Sequence, residues 1–219
     1  MVLVIFLLIG CVRDPGISAY NMGVDHGKVD DYEKAIEHYT KAIKINPELV
    51  KAYNARCSSY SQLGQFERAI QDCDKAIQLN SNYFDAYHNR GIAYDNLGQH
   101  KRAIKDYDIA TELNSGSYKV YVDKGIAYYM LDLIERARRN YNKAIELNPN
   151  YANAYLNRAA IYRYWEEPAM AIDDYNKAIK LEPNNGYGYY WRGKSYQQIG
   201  NSEQAKQDLD KARELGYNP

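Results

Sequence analysis

The residues of this chain that could do chemistry are few. Cys57 and Cys73 stand 16 residues apart, with a third cysteine, Cys11, far upstream. The four histidines are His26, His38, His88 and His100, and the adjacent acids Glu166 and Glu167 precede Pro168. No Cys-x-x-Cys, H-E-x-x-H or G-x-S-x-G is present, and no Gly-rich phosphate loop follows a strand, so metal, hydrolase and redox-motif chemistry have no sequence support. No catalytic residue, metal ligand or cofactor is expected. Glu166 and Glu167 are expected to favour the N-terminus of the helix that follows, not to act as an acid–base pair. Cys57 and Cys73 are expected to be buried thiols that pack as small apolar groups. The alternative is a disulfide, which needs an oxidising compartment and close Cα atoms.

The elements that hold these residues repeat every 34 positions. Stepping from Ala35 gives Ala69, Ala103, Ala137, Ala171 and Ala205; a second series runs Ala42, Ala76, Ala110, Ala144, Ala178 and Ala212. Aromatic series run Tyr53, Tyr87, Tyr121, Tyr155 and Tyr189, and Tyr60, Tyr94, Tyr128, Tyr162 and Tyr196. Self-similarity at such a period marks a repeat architecture. Within a repeat, Tyr53, Arg56, Cys57 and Tyr60 lie on one helical face; Phe66, Ala69, Ile70, Cys73, Ala76 and Ile77 make a second. Gly64 separates the two, and Pro47, Pro149 and Pro183 stop helices elsewhere. Cys57 and Cys73 therefore replace a small and a Tyr-type packing position on facing helices of one hairpin.

The segment AYHNRGIAYDNLGQHKRAIKDYDIATELN, Ala86 to Asn114, resembles the tetratricopeptide repeat family in its aromatic, Gly, Tyr, Gly, Ala, aromatic and Ala positions. The resemblance covers residues 16–219 as six repeats: 16–49, 50–83, 84–117, 118–151, 152–185 and 186–219. It implies an all-α solenoid of six helix-turn-helix repeats, a right-handed superhelix with a groove lined by the first helix of each pair. The first repeat departs from the pattern: it lacks the aromatic series and carries Gly23 and Gly27, which predicts a weak, frayed helix. Lys206 and Arg213 stand where earlier repeats have Ile, so the last repeat is expected to present a polar outer face. Arg138 breaks the same apolar series and is expected to snorkel.

Two columns vary together. Arg56, Arg90, Lys124, Arg158 and Arg192 face Asp72, Asp106, Asn140, Asp174 and Asp208, which predicts one structural polar pair per repeat. The first repeat has Met22 and His38 instead.

Net charge is zero, with 28 basic and 28 acidic residues, which argues against a nucleic-acid partner. The expected function is a non-catalytic scaffold that takes a protein or peptide in the groove. A thiol-redox role for Cys57 and Cys73, or a purely self-associating protein, are the alternatives. Candidate partner-binding residues are Asn54, His88, Tyr129, Arg163, Tyr187, Tyr190 and Lys194; the last repeat supplies the densest aromatic cluster with a nearby Lys. Some family members clamp a chaperone's C-terminal carboxylate with Lys, Asn and Arg. Here Asn89 and Lys119 fill two places, but Asn54, Ser58 and Asp123 stand at the others, so that clamp is not expected.

Residues 1–15 lie outside the repeat frame. The run Met1–Ile9 would extend ~14 Å as a helix against a bilayer core of ~30 Å, so it cannot span. Leu8-Ile9-Gly10-Cys11 resembles a bacterial lipobox, which implies lipidation at Cys11 and an extracytoplasmic, membrane-anchored lipoprotein. The membrane would then be met only through that lipid. The departures are the short apolar run and the absence of a basic residue before it; a cytoplasmic protein is the alternative.

Overall fold

A computed structural model describes residues 14–219. The lipobox-like run and Cys11 lie outside the described residues. Within them the chain forms helices and no strands: α1 (Pro15–Gly27), α2 (Tyr32–Ile45), α3 (Val50–Gln62), α4 (Phe66–Leu79), α5 (Phe84–Asn96), α6 (His100–Leu113), α7 (Tyr118–Met130), α8 (Ile134–Leu147), α9 (Ala152–Tyr164), α10 (Pro168–Leu181), α11 (Gly186–Gln198) and α12 (Ser202–Glu214). They group into two compact units, one ending at Leu97 and the other beginning at Gly98. Among these residues no helix is long and apolar enough to cross a membrane. Each unit is an α-solenoid of paired helices.

The turns explain the punctuation. Between the two helices of a repeat, the N–H of Gln65 donates to the Tyr60 carbonyl at 2.8 Å, and Leu133, Glu167 and Asn201 repeat the bond to Tyr128, Tyr162 and Tyr196. This six-to-one closure needs a left-handed residue just before the donor. Gly64 and Gly200 supply it, but Asp30, Asp132 and Glu166 hold the same position at φ +58°. Between repeats, Asn46, Asn80, Asn114 and Asn148 each accept the N–H two residues on, at 3.0–3.1 Å. These Asx turns do the work that a proline alone cannot. Glu166 therefore sits in a strained turn. Glu167 is the N-cap of α10 and makes no side-chain cap bond, so only its charge can favour that helix.

The first repeat corrects its expectation. α1 is a full helix, not a frayed one. Asp14 caps it by accepting from Gly16 and Ile17, and Pro15 takes the first turn. Gly23 is a packing requirement: a Cβ there would lie 2.5 Å from Tyr39 Cε1. Gly125 against Tyr141 repeats the arrangement, with an added Cβ at 2.4 Å. A glycine on one helix and a buried tyrosine on the next bring the paired backbones together, and the fully buried Ala35, Ala42, Ala69, Ala76, Ala137 and Ala144 complete the seam. His26 stacks on His38 at 5.2 Å and lies 3.3 Å from Asp31, taking the place of the tyrosine of other repeats.

The arginine column is a set of bridges. Arg56 binds Asp72 through two bonds of 2.6 and 2.7 Å; Arg158–Asp174 and Arg192–Asp208 are the same fork. Each arginine also reaches back 16 residues to the preceding repeat: Arg56 to Thr40, Arg158 to Asn142 and Arg192 to Asn176. Arg90 reaches Asp74 in the same way. Tyrosines three before and four after lie about the guanidinium, at 5.8 Å on both sides of Arg158. The expected Lys124–Asn140 pair is corrected. Lys124 binds Asp108 of the preceding repeat, and Asn140 donates to the Arg136 carbonyl of its own helix. A lysine is a point donor without a planar fork, so it serves one side of the bridge. Arg138 snorkels as expected, its charge on Glu135 and its guanidinium 5.7 Å from the Trp165 ring.

Two measurements check this account. A double-mutant cycle on Arg158 and Asp174, by urea denaturation, is expected to give a coupling of about 1.5–3 kcal/mol, since burial leaves either charge costly alone. Glu166→Gly is expected to raise stability by about 0.5–1 kcal/mol, the relief of a left-handed glutamate exceeding glycine's extra unfolded freedom.

Candidate functional site

In the second unit the first helices of three successive repeats, α7, α9 and α11, enclose a cavity of about 450 Å³. Ile126 and Tyr129 come from α7; Asn157, Ala160, Arg163 and Tyr164 from α9; Tyr187 and Trp191 from α11; Tyr141 of α8 lies at the base. Helical spacing puts these groups on one side: 126 and 129 are three apart, 157, 160 and 164 three and four apart, 187 and 191 four apart. Small Ala160 leaves the space that the aromatic walls surround.

Arg163 dominates the electrostatics. Its guanidinium lies 3.5 Å from the centroid of Trp191, and no carboxylate is within ion-pair distance of it among the described residues. It is the one charged group on the cavity wall. Behind it Tyr175 is fully buried, and burial pushes its hydroxyl well above the usual tyrosine range, with Arg163 pulling the other way. Tyr175 Oη and Trp191 Nε1 are both buried without a hydrogen-bond partner. Burial likewise raises Tyr187, again against the pull of Arg163. Edge-to-face contacts brace the wall, with Tyr187 at 6.2 Å and Tyr190 at 4.9 Å from Trp191.

Of the expected partner-binding residues, the structure brings Tyr129, Arg163 and Tyr187 onto this cavity. Tyr190 and Lys194 do not line it; Lys194 lies 5.7 Å from the Tyr190 ring, and Tyr190 packs on Tyr217. Asn54 and His88 belong to the first unit, where Asn54 accepts from Asn89 at 2.9 Å and His88 packs 6.1 Å from Phe84. Asn157, Tyr164 and Trp191 are wall residues that groove spacing on the first helices missed. Trp191 follows Tyr187 by one helical turn, and that interval was the available signal.

The two cysteines form a disulfide, Cys57–Cys73, with Cα atoms 5.6 Å apart. The expectation of free buried thiols is thereby corrected. The pair occupies the column of Gly23–Tyr39 and Gly125–Tyr141, where the helices approach closely enough to satisfy disulfide geometry. Both residues are fully buried, and Ala69 and Ala93 pack against them. No group of three or more metal-ligating side chains occurs among the described residues.

Comparison with known proteins decides the family. Residues 18–49, 50–83, 84–117 and 152–185 match the tetratricopeptide repeat family, and 134–163 and 174–207 match further models of the same repeat. The chain belongs to the tetratricopeptide repeat family. It is 52% identical over 42 residues to Hsp70-Hsp90 organizing protein 1 of Arabidopsis thaliana, a stretch covering 19% of this chain and only 7% of that protein. Among solved structures it is similar to MamA, 27% identical with a TM-score of 0.67, covering 73% of this chain and 94% of that one. It is also similar to YrrB, described as a TPR protein with an unusual peptide-binding site: 25% identical, TM-score 0.63, covering 81% of this chain and 91% of that one. As a tetratricopeptide repeat protein the chain is of a kind that binds other proteins through its repeats.

The disulfide gives a direct check. Reduction, or Cys57→Ala with Cys73→Ala, is expected to cost about 2–4 kcal/mol of unfolding free energy by releasing the loop between them in the unfolded chain. Differential scanning calorimetry with and without reductant measures it.

Proposed function

We propose that the chain is a non-catalytic interaction scaffold whose second unit takes a segment of a protein partner in the cavity between α7, α9 and α11. The observation that carries this reading is the cavity itself. Tyr129 and Tyr164 present exposed rings at 38% and 57% of their surface, Tyr187 and Trp191 form a braced aromatic wall, and a single guanidinium is held without an acidic partner. Aromatic anchors with an arginine are what interfaces use most. Peptide binding by YrrB, stated for that protein, supports a similar use of repeats here. A thiol-redox role is disfavoured by the complete burial of both sulfur-bearing residues in the hairpin seam.

We also propose that the protein works outside the cytoplasm, held by lipid at Cys11. The disulfide supports this reading because such bonds persist in oxidising compartments. The lipobox-like run Leu8–Cys11 supports it from sequence. Mass spectrometry of the mature protein is expected to find a lipidated Cys11 at its N-terminus; an intact Met1 would refute export.

Affinity capture with the full chain tests the scaffold. Tyr129→Ala with Tyr164→Ala, two exposed truncations that leave the core alone, is expected to abolish partner capture. Tyr190→Ala with Lys194→Glu is expected to retain it.

A further inference from the structure

The cavity's chemistry is one-sided. Its wall carries one cation and no carboxylate. The Arg163 guanidinium lies over the face of Trp191, which leaves the in-plane N–H donors at its edge. No acid compensates that charge among the described residues, whereas Arg56, Arg158 and Arg192 are each forked onto an aspartate. Tyr175 Oη and the fixed Trp191 N–H are buried beside it without partners. Buried donors gathered round a cation and left without an acceptor are costly, and an incoming anion relieves that cost.

Two other occupants fit less well. Five aromatic rings could cage a cation, but Arg163 already covers the Trp191 face and would repel a second positive charge. A phosphate or nucleic-acid backbone is normally met by clustered cations, and this wall has one.

Resting on the reading of the cavity as the partner site, we propose that it recognises a side-chain carboxylate in an acidic peptide segment, flanked by an apolar residue. The Asp or Glu carboxylate accepts from the outward edge of the Arg163 guanidinium in a fork–fork pair. The neighbouring apolar side chain fills the volume above Ala160, against Ile126 and Tyr129. Arg163 is stacked before the ligand arrives, so little side-chain freedom is lost on binding.

The test is a synthetic array of acetylated, C-terminally amidated peptides of mixed sequence, probed with the full chain. Peptides holding Asp or Glu next to Leu, Ile or Phe are expected to be retained. Replacing that acid by its amide is expected to weaken binding at least about tenfold, as loss of a charge-assisted pair requires. Arg163→Gln is expected to erase the preference between acid and amide while circular dichroism shows an intact helical fold. The acid-to-amide replacement leaves the protein unchanged, so the result does not depend on any variant folding. A difference below about twofold between acid and amide overturns the proposal. If binding is then still lost with Tyr129→Ala and Tyr164→Ala, the cavity remains the partner site and only the carboxylate is excluded. Preference confined to a parallel array with free C-terminal acids overturns the side-chain source. Failure of every peptide to bind overturns both readings.

Discussion

The close approach of paired helices, α1 with α2, α3 with α4 and α7 with α8, is the constraint on which the rest depends. A glycine or alanine on the first helix admits a buried tyrosine of the second, so Gly23 with Tyr39 and Gly125 with Tyr141 set a short backbone separation. The separation has three consequences. It buries the alanine seam, and it lets an arginine of the first helix reach an aspartate of the second. In the second repeat, where both members are cysteine, it brings Cα atoms to 5.6 Å and permits a covalent link. The same spacing thus supports packing, charge pairing and a disulfide, depending only on which side chains occupy it.

The arginine bridges carry the order of one hairpin to the next. A fork onto aspartate uses two donors, and a third donor reaches the polar residue 16 positions back in the preceding repeat. The pairs are half-buried, and burial raises the Asp174 carboxyl even as Arg158 lowers it. Such pairs specify geometry more than they add stability. Lys124 marks where the device is reduced to one side. Arg163 is the contrast: an arginine with no acid, stacked on Trp191 at the wall of the aromatic cavity in the second unit. Arg56, Arg158 and Arg192 are neutralised by aspartates, whereas Arg163 lines the candidate site without one.

Much of this was legible in the sequence because it is periodic. The alanine and tyrosine series, the glycine turns and the pairing of Arg56 with Asp72 or Arg192 with Asp208 recur at 34 residues, and repetition turns weak local signals into a pattern. Gly23 was misread because helix propensity counts it as a weakness, while its cost is outweighed by the tyrosine it admits. The back-reaching partners Thr40, Asn142 and Asn176 escaped notice because they vary in type and share only polarity. Tyr129, Arg163 and Tyr187 were legible from groove spacing on single helices; Asn157 and Tyr164 were not, because the wall is a product of three helices.

What the sequence determined by itself is the repeat, its helices and the family, since these follow from spacing along the chain. The tertiary structure decided which side chains meet. Whether two cysteines form a bond, whether a glycine is a flaw or a fit, and whether an arginine is paired or waiting are questions of distance between helices. Local spacing bounds those distances, and packing sets them.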